Sequence, residues 1–141
     1  MKPLVMLMTV SALTLAIQGD TRKELAKFEG TWQPVYVEKD GKELKVDIKD
    51  DRLVMTGNTF VFTRPKSKME GKLSIDATKK PCTIDEETTA GDNKGTKTVG
   101  IYQIDEKRLM VCYRVAPAER PDSFSTSENS GRFLIIYKRV K

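Results

Sequence analysis

Gly57-Asn58 stands between two mostly apolar runs, Leu53-Val54-Met55-Thr56 and Thr59-Phe60-Val61-Phe62. A two-residue loop of the Gly-X type closes an antiparallel hairpin, because its first position needs a positive φ that glycine takes without steric cost. So short a loop fixes the register. Thr56 opposes Thr59, Met55 opposes Phe60 and Leu53 opposes Phe62. Opposed residues share a face of the sheet, so Leu53, Met55, Phe60 and Phe62 form one apolar side that has to be buried.

The stretches that follow also read as strands. Met69, Gly71, Leu73 and Ile75 alternate with Lys68, Glu70, Lys72, Ser74 and Asp76, the pattern of a half-buried antiparallel strand. Cys82 to Thr89 is a more polar strand with Cys82 and Ile84 inward, and Glu86 falls on the same parity, either at the mouth of a barrel or out of register. Ala90 to Gly95 is a loop. Thr98–Ile104 and Leu109–Arg114 make a second hairpin around Asp105–Arg108. Pairing Ile104 with Leu109 puts Gly100, Tyr102, Ile104, Leu109, Val111 and Tyr113 on one face. Val99, Ile101, Met110 and Cys112 form the other, which is too apolar for open water and needs a cover from Leu25 and Phe28 or from the long loop Val115–Gly131. Phe124 is the residue that would pin that loop, and Phe133–Tyr137 is apolar on both faces.

The chain opens differently. Met1-Lys2-Pro3 followed by the uncharged, mostly apolar run Leu4–Ile17 suits the basic and hydrophobic regions of a signal peptide and is too short for a membrane span. Cleavage is expected near Gly19, leaving residues 20–141 as one domain, and an uncleaved N-terminal anchor is the alternative. Thr21 and Glu24 have the spacing of a capping box, which predicts a short helix from Arg22 that Gly30 ends. From Thr31 the pattern turns to strand. A bulge at Pro34 would let Trp32, Val35 and Val37 all face inward. Lys42–Asp51 is mostly charged, and its alternating Leu44, Val46 and Ile48 allow a further short strand.

About eight strands joined mostly by tight turns predict an all-β, eight-stranded antiparallel up-and-down barrel with a short N-terminal helix. A glycine two residues before the only tryptophan, Gly30-Thr31-Trp32, resembles the opening of lipocalin-like (calycin-type) barrels. From Phe28 to Arg139 the chain resembles an exported lipocalin-like domain family of planctomycete bacteria that is functionally uncharacterised. The likeness is carried by Gly30 and Trp32, by Val37, Asp40 and Gly41, and by Pro81, Ile84 and Asp85. Gly100-Ile101-Tyr102, Leu109 with Cys112, and Arg120-Pro121 with Phe124 complete it. Cys82 and Glu86-Glu87-Thr88 depart from the family pattern. The resemblance implies a barrel and an exported protein, and no activity.

Several chemistries are excluded or weak. The chain has no histidine, so His-based triads, His general bases and His-ligated zinc are absent. Its formal charge of +5 comes from lysines and arginines interleaved with acids, without the basic, aromatic-studded patch of a nucleic-acid binder. Asp47, Asp50 and Asp51 lack the alternating spacing and glycine of a calcium loop. Gly91–Thr96 lacks the Lys-Ser/Thr placement of a phosphate-binding loop. Asp85, Glu86 and Glu87 alternate faces and do not pair as an acid–base couple.

What remains is a non-enzymatic, monomeric, exported barrel without cofactor or metal that takes a small apolar or amphipathic ligand in its interior. Met55, Phe60, Phe62, Met69, Leu73, Tyr102, Val111 and Tyr113 are the cavity candidates. The alternative is a filled barrel that acts through its surface as an interaction or inhibitor-like module, with the Val115–Gly131 loop as the contact. Gly30, Trp32 and Arg139 are expected to close the barrel: Arg139 of the last strand covers the indole of the first, and Lys138 is the fallback. Cys112 on the outer face and Cys82 inside, two strands away, are expected to stay free thiols.

Overall fold

The computed structural model describes residues 20–140, and the expected signal segment and its cleavage site lie outside them. After a helix over 20–26, α1, come nine strands: β1 (Gly30–Lys39), β2 (Lys42–Glu43), β3 (Arg52–Thr56), β4 (Thr59–Arg64), β5 (Ser67–Asp76), β6 (Cys82–Gly91), β7 (Lys97–Ile104), β8 (Arg108–Val115) and β9 (Phe133–Arg139). From β3 to β9 each strand pairs antiparallel with the next, and β1 pairs with both β3 and β9. The sheet therefore closes into an eight-stranded up-and-down barrel. The two-residue β2 hangs from the end of β1.

Both hairpins have the expected register. Met55 faces Phe60 and Leu53 faces Phe62 across a turn in which Gly57 takes a φ of 57°. Ile104 faces Leu109, Tyr102 faces Val111 and Gly100 faces Tyr113. Gly71 is needed for a different reason. A Cβ there would lie 2.3 Å from the carbonyl oxygen of Glu87 and 2.4 Å from the Phe60 ring. The missing side chain lets that ring lie across β5 where β6 bulges.

Apolar side chains collect in two clusters, one on each side of the barrel wall. Inside, Trp32, Leu53, Met55, Leu73, Ile84 and Tyr102 pack with Phe28 and Leu25 of the N-terminal segment. Outside, Ile101, Cys112 and Leu134 pack with Tyr36, Met110 and Phe124. Phe124 of the long loop thus covers the second apolar face, and the helical segment does not. Leu25 and Phe28 instead fill one end of the barrel, where Phe28 meets Tyr102 edge to face at 5.0 Å.

Several local expectations need correction. Residues 20–26 are already helical, so Thr21 lies within the helix and does not cap it. Glu24 is used otherwise: one carboxylate oxygen accepts from the Tyr102 hydroxyl at 2.9 Å and the other pairs with Lys27 at 2.7 Å. The bulge in β1 is real, between Pro34 and Tyr36, but Val35 is itself the extra residue and is 45% exposed. Trp32 and Pro34 face inward before it. Val37, paired with Ile135, shares the inner face after it. Residues 44–48 form no strand, and Leu44 and Val46 stay exposed. The sixth strand runs two residues past Thr89 to Gly91.

The long loop is tied down along its length. One Arg120 nitrogen reaches the Asp85 carboxylate at 2.6 Å and the Gly100 carbonyl at 2.8 Å, Pro121 is buried, and Arg132 pairs with Asp122 at 3.1 Å. At the β1–β2 turn, Gly41 N–H donates to Thr126 and Gly131 N–H donates to Asp40, each at 2.7 Å. Cys82 and Cys112 are both free thiols. Cys82 pairs with Tyr102 on the inner face and Cys112 with Ile101 on the outer, with β7 between their strands.

Candidate functional site

The two ends of the barrel differ in what fills them. At the end where β1 starts and β9 finishes, Trp32 and Arg139 are paired residues, and the guanidinium carbon lies 4.1 Å from the centre of the indole. The indole N–H donates to the Phe28 carbonyl at 2.8 Å, so this buried polar group is satisfied. Arg139 also donates to the carbonyls of Glu106, Glu29 and Lys27 at 2.8, 2.5 and 2.7 Å. Lys27 and Glu29 follow the C-terminal end of α1, where free carbonyls favour a cation. The same guanidinium therefore covers the ring and holds the helix end onto the barrel. This end is closed.

The other end holds a cavity of about 510 Å³. Its wall combines apolar groups (Leu53, Phe60, Phe62, Met69, Ile135) with polar ones from Glu86, Thr88, Thr98, Tyr113 and Tyr137. Arg64, Ser67, Asp92, Asn93 and Thr96, at the ends of β4–β7 and in their connections, form its rim. Space persists on this side because the inward positions of β6 and β7 turn small or polar. Ile84 is followed inward by Glu86 and Thr88, and Gly100 is preceded by Thr98.

Four of the cavity candidates, Phe60, Phe62, Met69 and Tyr113, lie in this wall. The other four, Met55, Leu73, Tyr102 and Val111, do not reach it. They belong to the packed half beneath, where Phe28 and Trp32 occupy the room that alternation alone would leave to a ligand. Alternation reports which face a residue takes and says nothing of its depth along the barrel axis. Gly30, Trp32 and Arg139 meet at the closed end: a Cβ on Gly30 would stand 3.0 Å from an Arg139 guanidinium nitrogen. Lys138 pairs with Gln33 and is exposed.

Glu86 is the wall residue that face counting placed only ambiguously. Its carboxyl points inward in mid-barrel, between Leu73 of β5 and Thr98 of β7. No hydrogen bond or ion pair from any described residue reaches it. Burial raises its pKa from the usual carboxylate range to about 7. Its charge is felt across the cavity, where the Tyr113 and Tyr137 phenols are both pushed up, first by burial and then by the Glu86 carboxylate. Arg64 at the rim lies 5.5 Å from the centre of the Phe62 ring. Its Nε stands 3.3 Å from Asp51 Oδ2 without hydrogen-bond alignment. Asp51 is buried, and its carboxyl is pushed up by desolvation against the opposing pull of Arg64. The signal for Glu86 lay in the strand parity. Asp51 sits in a charged stretch and gave none.

Among the described residues, no helix is long and apolar enough to cross a membrane. No protein-family model, no curated protein and no solved structure matches the chain.

Proposed function

We propose that this protein is a non-enzymatic exported barrel that holds one small amphipathic molecule in its interior, and that it belongs to the lipocalin-like family it resembles. The observation that supports this reading is the cavity of about 510 Å³, open at one end and walled by aromatic and aliphatic side chains with a few polar groups among them. Small-molecule sites have this size and this mixture. The reading of a filled barrel acting through its surface has less support. Its contact loop, Val115–Gly131, is pinned by Arg120, Phe124 and the pairing of Asp122 with Arg132, and it leaves little chain free to adapt to a partner.

Titration with Nile red, a neutral dye whose emission rises in apolar surroundings, tests the proposal directly. Saturable binding at micromolar dye is expected. Phe62→Trp, which puts a larger ring on the cavity wall, should weaken that binding several-fold. Absence of dye binding at micromolar concentration would remove the ligand-carrier reading.

A further inference from the structure

We infer that Glu86 is the anchor for the ammonium group of an amphipathic organic cation, whose apolar body lies along Phe60, Phe62 and Met69. This deepens the ligand-carrier reading and rests on it. Three observations carry it. First, the carboxyl of Glu86 faces the cavity in mid-barrel and has no protein donor among the described residues. Its side chain is half-buried on the wall of an open cavity, so a guest that covered it without supplying a donor would leave a carboxyl unsatisfied, and a guest that brings a donor is favoured. Second, the groups around it suit a small cation. The hydroxyls of Thr88, Thr98, Tyr113 and Tyr137 line the same space and can accept the remaining ammonium hydrogens. The rings of Phe60, Phe62 and Tyr113 favour a positive charge over a negative one.

Third, the charge balance of the wall disfavours an anion. The titratable groups facing Glu86 are Arg64 of β4, Asp92 in the β6–β7 connection, Tyr113 of β8 and Tyr137 of β9, with Asp51 behind Arg64. Arg64 is the only cation among the wall residues, and Asp51 already stands 3.3 Å from it. A carboxylate ligand would meet Asp92, and above about pH 7 the Glu86 carboxylate as well, without a free cation to offset them. One inward carboxylate is also too small a ligand set for a hard divalent metal ion. The burial that keeps Glu86 protonated up to about pH 7 adds a signature. When an ammonium ion settles against it at mildly acid pH, the carboxyl gives up its proton to solvent, and the bound pair is carboxylate and ammonium.

Octylammonium, octanol and octanoate share one body and differ in head group, so they separate the anchor from the cavity. In calorimetric titrations of the full chain at pH 6, octylammonium is expected to bind at least about tenfold more tightly than octanol, with octanoate the weakest. Repeating the titration in buffers of different ionisation enthalpy should reveal a proton released for octylammonium and none for octanol. In Glu86→Gln, whose folding is checked by its melting curve at pH 5, the ratio of the two affinities should fall to about one and the proton release should vanish. If octanol binds as tightly as octylammonium, or Glu86→Gln keeps the preference, the anchor is refuted while the cavity reading stands. If none of the three binds and Nile red does not bind either, the cavity reading fails and takes the anchor with it.

Discussion

The guanidinium of Arg139 lies over the indole of Trp32 with 4.1 Å between its carbon and the ring centre, and these two residues face each other across the β1–β9 seam. Trp32 is fully buried, so truncation removes a large ring from the packed end. Trp32→Ala should cost about 3–5 kcal/mol, enough to leave a marginal domain largely unfolded. Arg139→Ala loses the ring contact and leaves three carbonyls without their donor, which should cost about 2 kcal/mol. Arg139→Lys should recover less than half of that, because one ammonium cannot span three acceptors and a ring. Urea melts of the three variants give the order. An Arg139→Lys variant as stable as the wild type would mean that charge alone matters at this seam.

Glu86 makes the stability of the barrel depend on pH in an identifiable window. Its pKa rises from 4.5 when unfolded to about 7 when folded, so between these values the folded chain holds more protons than the unfolded one. Stability then falls as pH rises. The loss begins near the unfolded pKa, is complete above the folded one and amounts to about 3 kcal/mol at most. Asp76 and Asp105 have lowered carboxyl pKa values from turn hydrogen bonds and act in the opposite sense at lower pH. The clean measurement is therefore the difference between wild type and Glu86→Gln. Glu86→Gln should gain relative stability from pH 5 to pH 8, and a difference that is flat with pH would show that the carboxyl is well solvated.

Two glycines should fail differently when replaced by alanine. At Gly71 the new methyl group would press on the Glu87 carbonyl and the Phe60 ring, and relief requires moving a strand, at about 2–3 kcal/mol. At Gly57 a Cβ meets nothing within 4 Å, but φ is 57°, so the penalty is the left-handed backbone alone, about 1–2 kcal/mol. Gly57→Asn, which tolerates that region better, should recover part of the loss, whereas Gly71→Asn should be worse than alanine. Thermal melts distinguish the two patterns.

The two thiols should differ in the folded state. Cys112 is fully buried, and its thiol is pushed up mainly by that burial, while Cys82 is half-buried. A thiol reagent should therefore modify Cys82 first and reach Cys112 only on unfolding. Denatured, non-reduced protein should titrate as two thiols, and a count of zero would contradict the separation by β7.

Arg120 holds the long loop through Asp85 and the Gly100 carbonyl. Arg120→Ala should make residues 116–132 markedly more sensitive to limited proteolysis while lowering the melting temperature by only a few degrees. Unchanged cleavage would mean that Phe124 and the Asp122–Arg132 pair suffice.

Much of the barrel was legible because its information is local. A two-residue loop admits one register, so the Leu53–Phe62 hairpin and its apolar face could be written down from the residues alone. The meeting of Trp32 and Arg139 followed from closure, since the start of the first strand must lie beside the end of the last. Depth was not legible. Leu73 and Met69 alternate in the same way, yet Leu73 is buried in the packed half and Met69 lines the cavity. The difference is set by α1, which enters one end from outside the strand pattern. Val35 was misread for a related reason: a bulge predicts a change of parity but not which residue is left over. Of the residues that carry the family resemblance, Asp85, Gly100, Arg120 and Phe124 meet at the loop attachment, Gly30 and Trp32 lie at the closed end, and none of the set is in the cavity wall.

Because α1, Trp32 and Arg139 stop one end, a ligand of the kind proposed would have a single gate. Such a guest would have to back out by the route it came. Substitutions in the floor would change how long a guest stays only through how tightly it is gripped. Substitutions at the uncharged rim residues Ser67, Asn93 or Thr96 would change the speed of both entry and exit and leave the balance between them nearly untouched. A body seated on that rim would work as a stopper, and capture and release would then be governed at one place.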